Sequence, residues 1–201
     1  IPRPSGKYAH EEPRLIDSPT GFVFHHQNAW EKEENLIVLE SIFYKDFPSI
    51  GPKEDFKSID FEKIPEGQLT RCNINLSNQS CSKTVLSKQC CEFAMVNPTR
   101  QGLAANYSWM AVSERSSGNG PLQGIKKINL RTKENLIWSA APRGFVSEPI
   151  MVPNSESNLE DDGWILVLIW NSARPGTDLV ILNANNLTEQ AILELPIGIP
   201  H

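Results

Sequence analysis

The chain has 201 residues, of which 39% are hydrophobic and 21% charged, and its formal net charge at pH 7 is −5. This composition is ordinary for a globular protein, and the length is enough to bury a core in one large or two small domains. The negative charge excludes an electrostatic case for nucleic-acid binding, which needs clustered cations to displace counterions. The densest basic stretch, Lys126 to Lys133, is expected to be a solvated face. The longest apolar run, Trp164 to Trp170, is strand length and falls short of the ~20 residues that span a bilayer.

The first predicted element is a strand with the sequence Gly-Phe-Val-Phe-His-His-Gln-Asn-Ala-Trp-Glu at residues 21–31. Phenylalanine and valine favour extended backbone, and side chains along a strand alternate between its two faces. His25 and His26 should therefore point in opposite directions, and at most one of them faces a given interior. A metal needs several ligands, and the other histidines are His10 and His201. The alternative role for His25 is that of a packed, hydrogen-bonded core residue.

Short strands dominate the rest of the chain. The predicted strands are rich in β-branched or aromatic residues, are bounded by turn formers, and lie at residues 36–44, 107–112, 164–170 and 179–182. No segment has a sustained apolar stripe of helical period. The best helical candidate, Asp55 to Glu62, has prolines close on both sides and is expected to be a turn of helix within a long loop.

A repeat relates three of the predicted hairpins. Asn75, Asn129 and Asn183 are spaced by 54 residues, and each follows an apolar strand and precedes a polar turn. Units of about four strands at a period of ~40–50 residues are typical of β-propeller blades, here lengthened by insertions. Three blades leave two apolar flanks in water, so the repeat predicts an all-β arc of about three blades of a larger propeller.

The four cysteines do not form a zinc site. Cys72, Cys81, Cys90 and Cys91 contain no Cys-x-x-Cys pair and have no histidine nearby. Cys72 and Cys81 flank a predicted turn, where a disulfide is geometrically feasible. The favoured prediction is that the thiols are reduced, in an intracellular protein.

Two carboxylates lie within apolar stretches, Glu92 in Cys-Glu-Phe and Glu148 in Val-Ser-Glu-Pro-Ile. Such residues are usually exposed on an alternating strand. The alternative is a pairing with a buried imidazole, because a metal-ligating histidine generally donates its other ring N–H to a carboxylate.

Five segments in the same order resemble the C-terminal part of the carotenoid cleavage oxygenase family, which includes carotenoid, apocarotenoid and stilbene oxygenases and the retinoid isomerase of the eye. The first is Phe-His-His-Gln-Asn-Ala-Trp-Glu at residues 24–31. The others are Ser-Glu-Pro-Ile at 147–150, Glu-Asp-Asp-Gly-Trp at 160–164, the strand at 178–184 and the closing segment at 195–200. The resemblance covers essentially the whole chain.

The resemblance implies a seven-bladed propeller with non-haem Fe(II) on its axis, held by four histidines. Residues 1–201 would be the C-terminal portion of this single domain, without the N-terminal blades. His25 falls on the third iron ligand, and Glu92 and Glu148 fall on carboxylates that orient iron-bound histidines. The first two ligands belong to the absent portion, and the fourth would lie just beyond Pro200, with His201 as a neighbour of that site.

The resemblance further implies a dioxygenase that inserts both atoms of O₂ across a C=C bond of a carotenoid or apocarotenoid, giving two carbonyl products. No residue of this chain is assigned a general acid–base role, and one ligand cannot hold iron, so the isolated chain is expected to be inactive. Such an enzyme would be cytoplasmic or in the plastid stroma, with peripheral membrane contact. The alternatives are the isomerase branch of the same family, a non-enzymatic propeller-like binding or structural module, and a degenerate oxygenase without iron.

Overall fold

A computed structural model describes residues 10, 12–48, 59–174 and 176–199 of the chain, which fold into antiparallel β-sheets that follow one another in sequence. The first sheet contains β1 (Phe22–Glu33), β2 (Leu36–Tyr44), β3 (Gly67–Asn75) and β4 (Ser80–Ser87). The second contains β5 (Cys91–Met95), β6 (Tyr107–Ser113), β7 (Leu122–Asn129) and β8 (Asn135–Ser139). In the third, β9 (Gly144–Val146) and β10 (Ile150–Pro153) both pair with β11 (Gly163–Asn171), followed by β12 (Gly176–Asn183) and β13 (Glu189–Glu194).

The prediction of an all-β protein is confirmed, with four strands in each of the first two sheets and five in the third. Neighbouring strands of a sheet are neighbours in sequence except for β9, which pairs with β11, and none of the sheets in the described residues closes on itself. Within the predicted helical segment, the part from residue 59 onward holds a single 3₁₀ turn, Phe61–Lys63, and residues 55–58 lie outside the described residues. Another 3₁₀ turn spans Pro98–Arg100. Among the described residues, no helix has the length and apolar character needed to cross a membrane.

The 54-residue repeat is a repeated turn. Asn75, Asn129 and Asn183 each end the third strand of a sheet, and each side-chain oxygen accepts hydrogen bonds from the backbone N–H groups two and three residues later. Four residues after each asparagine the backbone φ is positive, at 55°, 70° and 59°. An asparagine that caps its own turn in this way favours the same hairpin each time.

The second sheet lies between the other two and is buried on both faces. Along β6, Trp109 and Ala111 belong to the core shared with the third sheet, whereas Met110 and Val112 belong to the core shared with the first. All four are fully buried. The two-residue period of a strand therefore gives this strand two apolar faces, which is why its sequence reads as a continuous apolar run.

The prediction that the basic stretch is a solvated face is wrong for its first two residues. Lys126 and Lys127 are each only 7% exposed because they lie on β7 of the central sheet. The Lys127 ammonium donates to Asp161 at 2.5 Å and to a backbone carbonyl at 2.7 Å. The Lys126 ammonium donates to Ser87 and Gln89, and burial lowers its pKa. The turn residues that follow are exposed, as predicted.

All four cysteines are free thiols, so the disulfide alternative does not apply to this structure. Cys72 lies opposite Lys83, and Cys81 lies opposite Ile74, which makes the two cysteines diagonal neighbours on the β3–β4 hairpin.

Candidate metal centre

The three predicted site residues occupy related places in the fold. His25 lies on β1 and Glu92 on β5, the first strands of their sheets, and Glu148 lies between β9 and β10, which together form the first strand of the third sheet. The three residues therefore lie on or within the first strand of successive sheets.

Each of these residues also lies at a break in strand pairing. In β1, Phe24 and His25 together face the single residue Ile42, because Val23 pairs with Phe43 and His26 with Ser41. In β5, two residues separate the paired positions Glu92 and Met95, while one residue separates their partners on β6. The third break covers residues 147–149, between β9 and β10. Bulges of this kind re-aim side chains and are common beside functional sites.

The bulges bring His25 against Glu92 across the junction of the first two sheets. Nδ1 of His25 lies 2.7 Å from Oε2 of Glu92. The imidazole side chain is 47% exposed within this chain, and the carboxylate side chain 12%. The ring of Phe93 packs beside the imidazole, with 5.0 Å between ring centroids. The structure thus joins two of the predicted site residues that are 67 positions apart in sequence.

Glu92 is held by three donors. Its Oε1 accepts a hydrogen bond from the Tyr44 hydroxyl at 2.5 Å. Its Oε2 accepts one from the backbone N–H of Phe93 at 3.0 Å, in addition to the contact with His25. Phe93 has a φ of +55°, a conformation that an aromatic residue adopts only where the surroundings enforce it. The carboxylate is therefore fixed from β1, β2 and β5 at once.

The pairing with Glu92 determines which ring nitrogen of His25 is available. An ionised carboxylate can only accept hydrogen bonds, so in the neutral imidazole Nδ1 carries the proton and Nε2 keeps its lone pair. This is the arrangement of a metal-ligating histidine whose other nitrogen is oriented by a carboxylate. Within the described ranges, no group of three histidine, cysteine, aspartate or glutamate side chains could hold a metal ion. His25 thus fits the part of one ligand in a larger set.

The residues that follow His25 anchor β1. His26 has a different partner from His25, because its Nδ1 contacts the Ser41 hydroxyl at 2.7 Å within the same sheet. The buried Gln27 donates to Glu40 at 2.8 Å and accepts from Ser108 of the second sheet at 2.5 Å. Asn28, also buried, donates to a backbone carbonyl of the loop after Pro98–Arg100 at 2.8 Å. The His-Gln-Asn sequence therefore fixes the position of the strand that carries His25.

Glu148 is not brought to His25. It is exposed, and the described histidines with a hydrogen-bond partner, His25 and His26, contact Glu92 and Ser41 instead. Its predicted role as a carboxylate that orients an iron-bound histidine stays a prediction. His201 lies outside the described residues.

Tyr44 is the site residue that the sequence alone does not reveal. It ends the apolar segment Ile-Phe-Tyr of β2, where an aromatic residue is expected to be core. Burial, followed by the hydrogen bond to Glu92 and the charge of that residue, raises the pKa of Tyr44 far above its ordinary value. A cleft of about 390 Å³ adjoins this group and is lined by Tyr44, Glu92, Phe93, Phe145 and Val146, among others.

Comparison with known proteins gives consistent matches along the whole chain. The family model described as "Retinal pigment epithelial membrane protein" matches residues 1–201. The chain is 39% identical over 197 residues to the apocarotenoid-15,15'-oxygenase of Synechocystis sp., covering 98% of this chain and 39% of that protein. It is 26% identical over 217 residues to resveratrol cleavage oxygenase 1 of Botryotinia fuckeliana, covering 98% of this chain and 37% of that protein.

The fold agrees with solved structures. Cobalt-substituted Synechocystis apocarotenoid oxygenase superposes with a TM-score of 0.92 at 38% identity, covering 100% of this chain and 41% of the other. The Trp149Ala variant of the same oxygenase gives the same TM-score and coverage. The chain therefore spans about two fifths of the length of the relatives it matches.

Proposed function

The chain belongs to the carotenoid cleavage oxygenase family, which the retinal pigment epithelial membrane protein model represents, and from this membership and the site geometry we propose a function for the intact protein. It is a non-haem Fe²⁺-dependent dioxygenase that uses O₂ to cleave a C=C bond of a carotenoid or apocarotenoid into carbonyl products. The observation that carries the proposal is the contact between Nδ1 of His25 and Glu92, because it leaves Nε2 free for a metal.

His25 supplies one of the metal ligands, and the remaining ligands come from parts of the protein outside the described residues. A related oxygenase was solved with cobalt, which supports a metal at this kind of centre. Iron held by neutral imidazoles with open coordination positions supplies the O₂ chemistry that oxidative cleavage of an alkene needs. Glu92 keeps His25 in the tautomer that binds through Nε2. Glu148 does the same for a histidine outside this chain.

The surroundings of His25 suit an apolar substrate. Phe24 is 49% exposed and its ring lies 6.4 Å from the imidazole, centroid to centroid. Phe93 lies on another side of the same ring. These aromatic side chains can contact a polyene and keep water from the centre. An apocarotenoid is the favoured substrate, since the chain is 39% identical to the apocarotenoid-15,15'-oxygenase and only 26% identical to resveratrol cleavage oxygenase 1.

The architecture and location follow from the same proposal. The three sheets are consecutive blades of a seven-bladed propeller, and the first strands line its axis. Carotenoids dissolve in membranes, so the enzyme contacts a membrane peripherally. We place it in the cytoplasm or the plastid stroma. An exposed apolar face on the third sheet supports packing of a further blade there, with Ile150 57% and Trp164 40% exposed.

The test compares two neighbouring histidines in the intact protein. His25→Ala should remove most of the bound iron and abolish carbonyl product. His26→Ala should keep both, because its ring contacts Ser41 within the first sheet. Iron is measured by elemental analysis. Cleavage is measured by chromatography of the carbonyl products formed from an apocarotenoid. Full iron content and turnover in His25→Ala would remove the assignment of His25 as a metal ligand. Absence of iron and of cleavage in the unsubstituted protein would favour a binding module or an iron-free oxygenase.

A further inference from the structure

Tyr44 lies on β2, whereas Glu92 lies on β5. Tyr44 is linked to the candidate ligand His25 through the carboxylate of Glu92. It ends β2 in the first sheet, is 6% exposed, and donates its hydroxyl hydrogen to Oε1 of Glu92 in the second sheet. The other oxygen, Oε2, faces His25. The two oxygens of one carboxylate thus link a tyrosine and a histidine that belong to neighbouring strands.

We propose that Tyr44 is a positioning residue for the metal centre, an inference that rests on the proposed function. Its hydroxyl fixes the rotation of the Glu92 carboxylate, so that Oε2 stays aligned with Nδ1 of His25. His25 in turn presents Nε2 in a constant direction.

The need for such a residue follows from the chemistry of glutamate. The terminal torsion of a glutamate side chain is broad, and the other two donors to Glu92, Nδ1 of His25 and the backbone N–H of Phe93, both lie on Oε2. Donors on both oxygens fix the plane of the carboxylate more firmly than donors on one. Without the Tyr44 hydroxyl, Oε1 is left in a largely buried position without its donor, and the carboxylate turns to regain one.

The ring of Tyr44 is itself held in place. It makes an edge-to-face contact with Phe24 at 5.5 Å between centroids. Gly67 on β3 leaves room for it, since a Cβ at that position would lie 2.7 Å from the Cζ atom of the tyrosine. The raised pKa keeps the hydroxyl protonated, and therefore a donor, across the physiological pH range. Tyr44 is thus a fixed donor on a fixed ring.

The experiment uses the intact protein loaded with Co(II), whose visible absorption reports ligand geometry. Tyr44→Phe removes the hydroxyl and keeps the ring. Tyr107→Phe, on β6, is the matched control, because the Tyr107 ring contacts Lys127 rather than the carboxylate of Glu92. Glu92→Gln, the double variant Tyr44→Phe/Glu92→Gln, and His25→Ala complete the set. Affinity is measured by competition with a chelator, and thermal unfolding checks the fold.

Tyr44→Phe should weaken Co(II) binding about 3- to 10-fold, less than the roughly 10- to 100-fold typical of a direct partner of a ligand. Its absorption bands should move in the same direction as those of Glu92→Gln. The double variant should bind no more weakly than Glu92→Gln alone, because Tyr44 acts through Glu92. Tyr107→Phe should match the unsubstituted protein.

Three results overturn the inference, and the third is distinguishable from the first two. If His25→Ala loses cobalt while Tyr44→Phe keeps the affinity and spectrum of the unsubstituted protein, or if the losses of Tyr44→Phe and Glu92→Gln add, the metal centre stands and Tyr44 has no positioning role. If His25→Ala keeps its cobalt and spectrum, the proposed function fails and the role of Tyr44 fails with it.

Discussion

Buried carboxylates join the neighbouring sheets at the level of single residues. Glu92 links the first and second sheets through His25 and Tyr44. Asp161 links the second and third, because it accepts from the Lys127 ammonium at 2.5 Å and from Asn185 at 2.6 Å. Each carboxylate is stable away from water because several donors replace its hydration. A carboxylate that accepts several hydrogen bonds thus forms part of the candidate site at one junction and stabilises the fold at the other.

The ion pair of Lys127 and Asp161 should matter strongly for stability. The side chains are 8% and 11% exposed, so removal of one partner leaves a nearly buried charge. We predict that Lys127→Met lowers the free energy of unfolding by about 3 kcal/mol. Lys88→Met, at an exposed position, should change it by less than about 0.5 kcal/mol. Urea unfolding of both variants checks this, and equal stability of the two would contradict it.

The sequence predicted part of the site. The family resemblance identifies His25 and Glu92 as site residues, because residue type alone favours a packed histidine and an exposed carboxylate. Tyr44 was missed because its role depends on a contact with a residue 48 positions away. Lys126 and Lys127 were misplaced because charge predicts exposure unless a partner is known, and the partner of Lys127 lies in another sheet.

At the scale of elements, irregular strands hold the candidate metal centre and regular strands form the core. The regular alternation of β6 gives two apolar faces, whereas the bulges in β1 and β5 turn His25 and Glu92 toward each other. Strand positions follow from the alternation and turn residues of the sequence. Bulges do not, because an extra residue is defined only against the partner strand. The sequence therefore predicted these strands but not the geometry at His25.

Gly163 gives a direct test of how closely β10 and β11 pack. It begins β11 with a φ of +151°, and a Cβ there would lie 2.2 Å from the carbonyl oxygen of Val152 on the paired strand. We predict that Gly163→Ala destabilises the protein by about 2–4 kcal/mol, because the close strand approach cannot be kept. Gly198→Ala is the control, since no atom lies within 4 Å of its added Cβ. Thermal unfolding compares them, and an unchanged melting temperature for Gly163→Ala would refute the packing argument.

At the scale of the whole molecule, the central sheet is covered on both faces, and each outer sheet shares one of the two cores with it. The repeat of asparagine turns predicted this succession of similar units from sequence alone. Closure into a ring does not follow from the same repeat, because the repeat relates neighbouring units, and none of the sheets in the described residues closes on itself. Apolar side chains such as Trp164 and Trp170, 40% and 37% exposed, lie on the third sheet.

The packed interior should also make the protein sensitive to alkali. Burial raises the pKa of the Cys90 and Cys91 thiols above the ordinary 9.0. A folded pKa above the unfolded value means that the stability is fully present below the unfolded pKa and is lost as the pH rises toward the folded one. Each thiol should contribute a slope of about 1.4 kcal/mol per pH unit above pH 9. Lys126, whose pKa is lowered by burial, opposes this loss in part.

We therefore predict that the free energy of unfolding falls between pH 9 and 10, and that Cys90→Ala/Cys91→Ala falls less steeply. The buried Val96→Ala should lose stability at every pH and keep the original slope, because no titrating group is removed. Urea unfolding across this pH range measures all three proteins. Identical slopes for the double cysteine variant and the unsubstituted protein would exclude the thiols as the cause.

We propose that Nε2 of His25 binds the catalytic metal while Nδ1 keeps its hydrogen bond to Glu92. The most direct measurement is a crystal structure of the intact, cobalt-loaded protein with anomalous data at the cobalt edge. We predict an anomalous peak about 2.1 Å from Nε2, with Nδ1 still within hydrogen-bond distance of Oε2 of Glu92. A metal bound elsewhere, or an imidazole turned so that Nδ1 faces the metal, would contradict it.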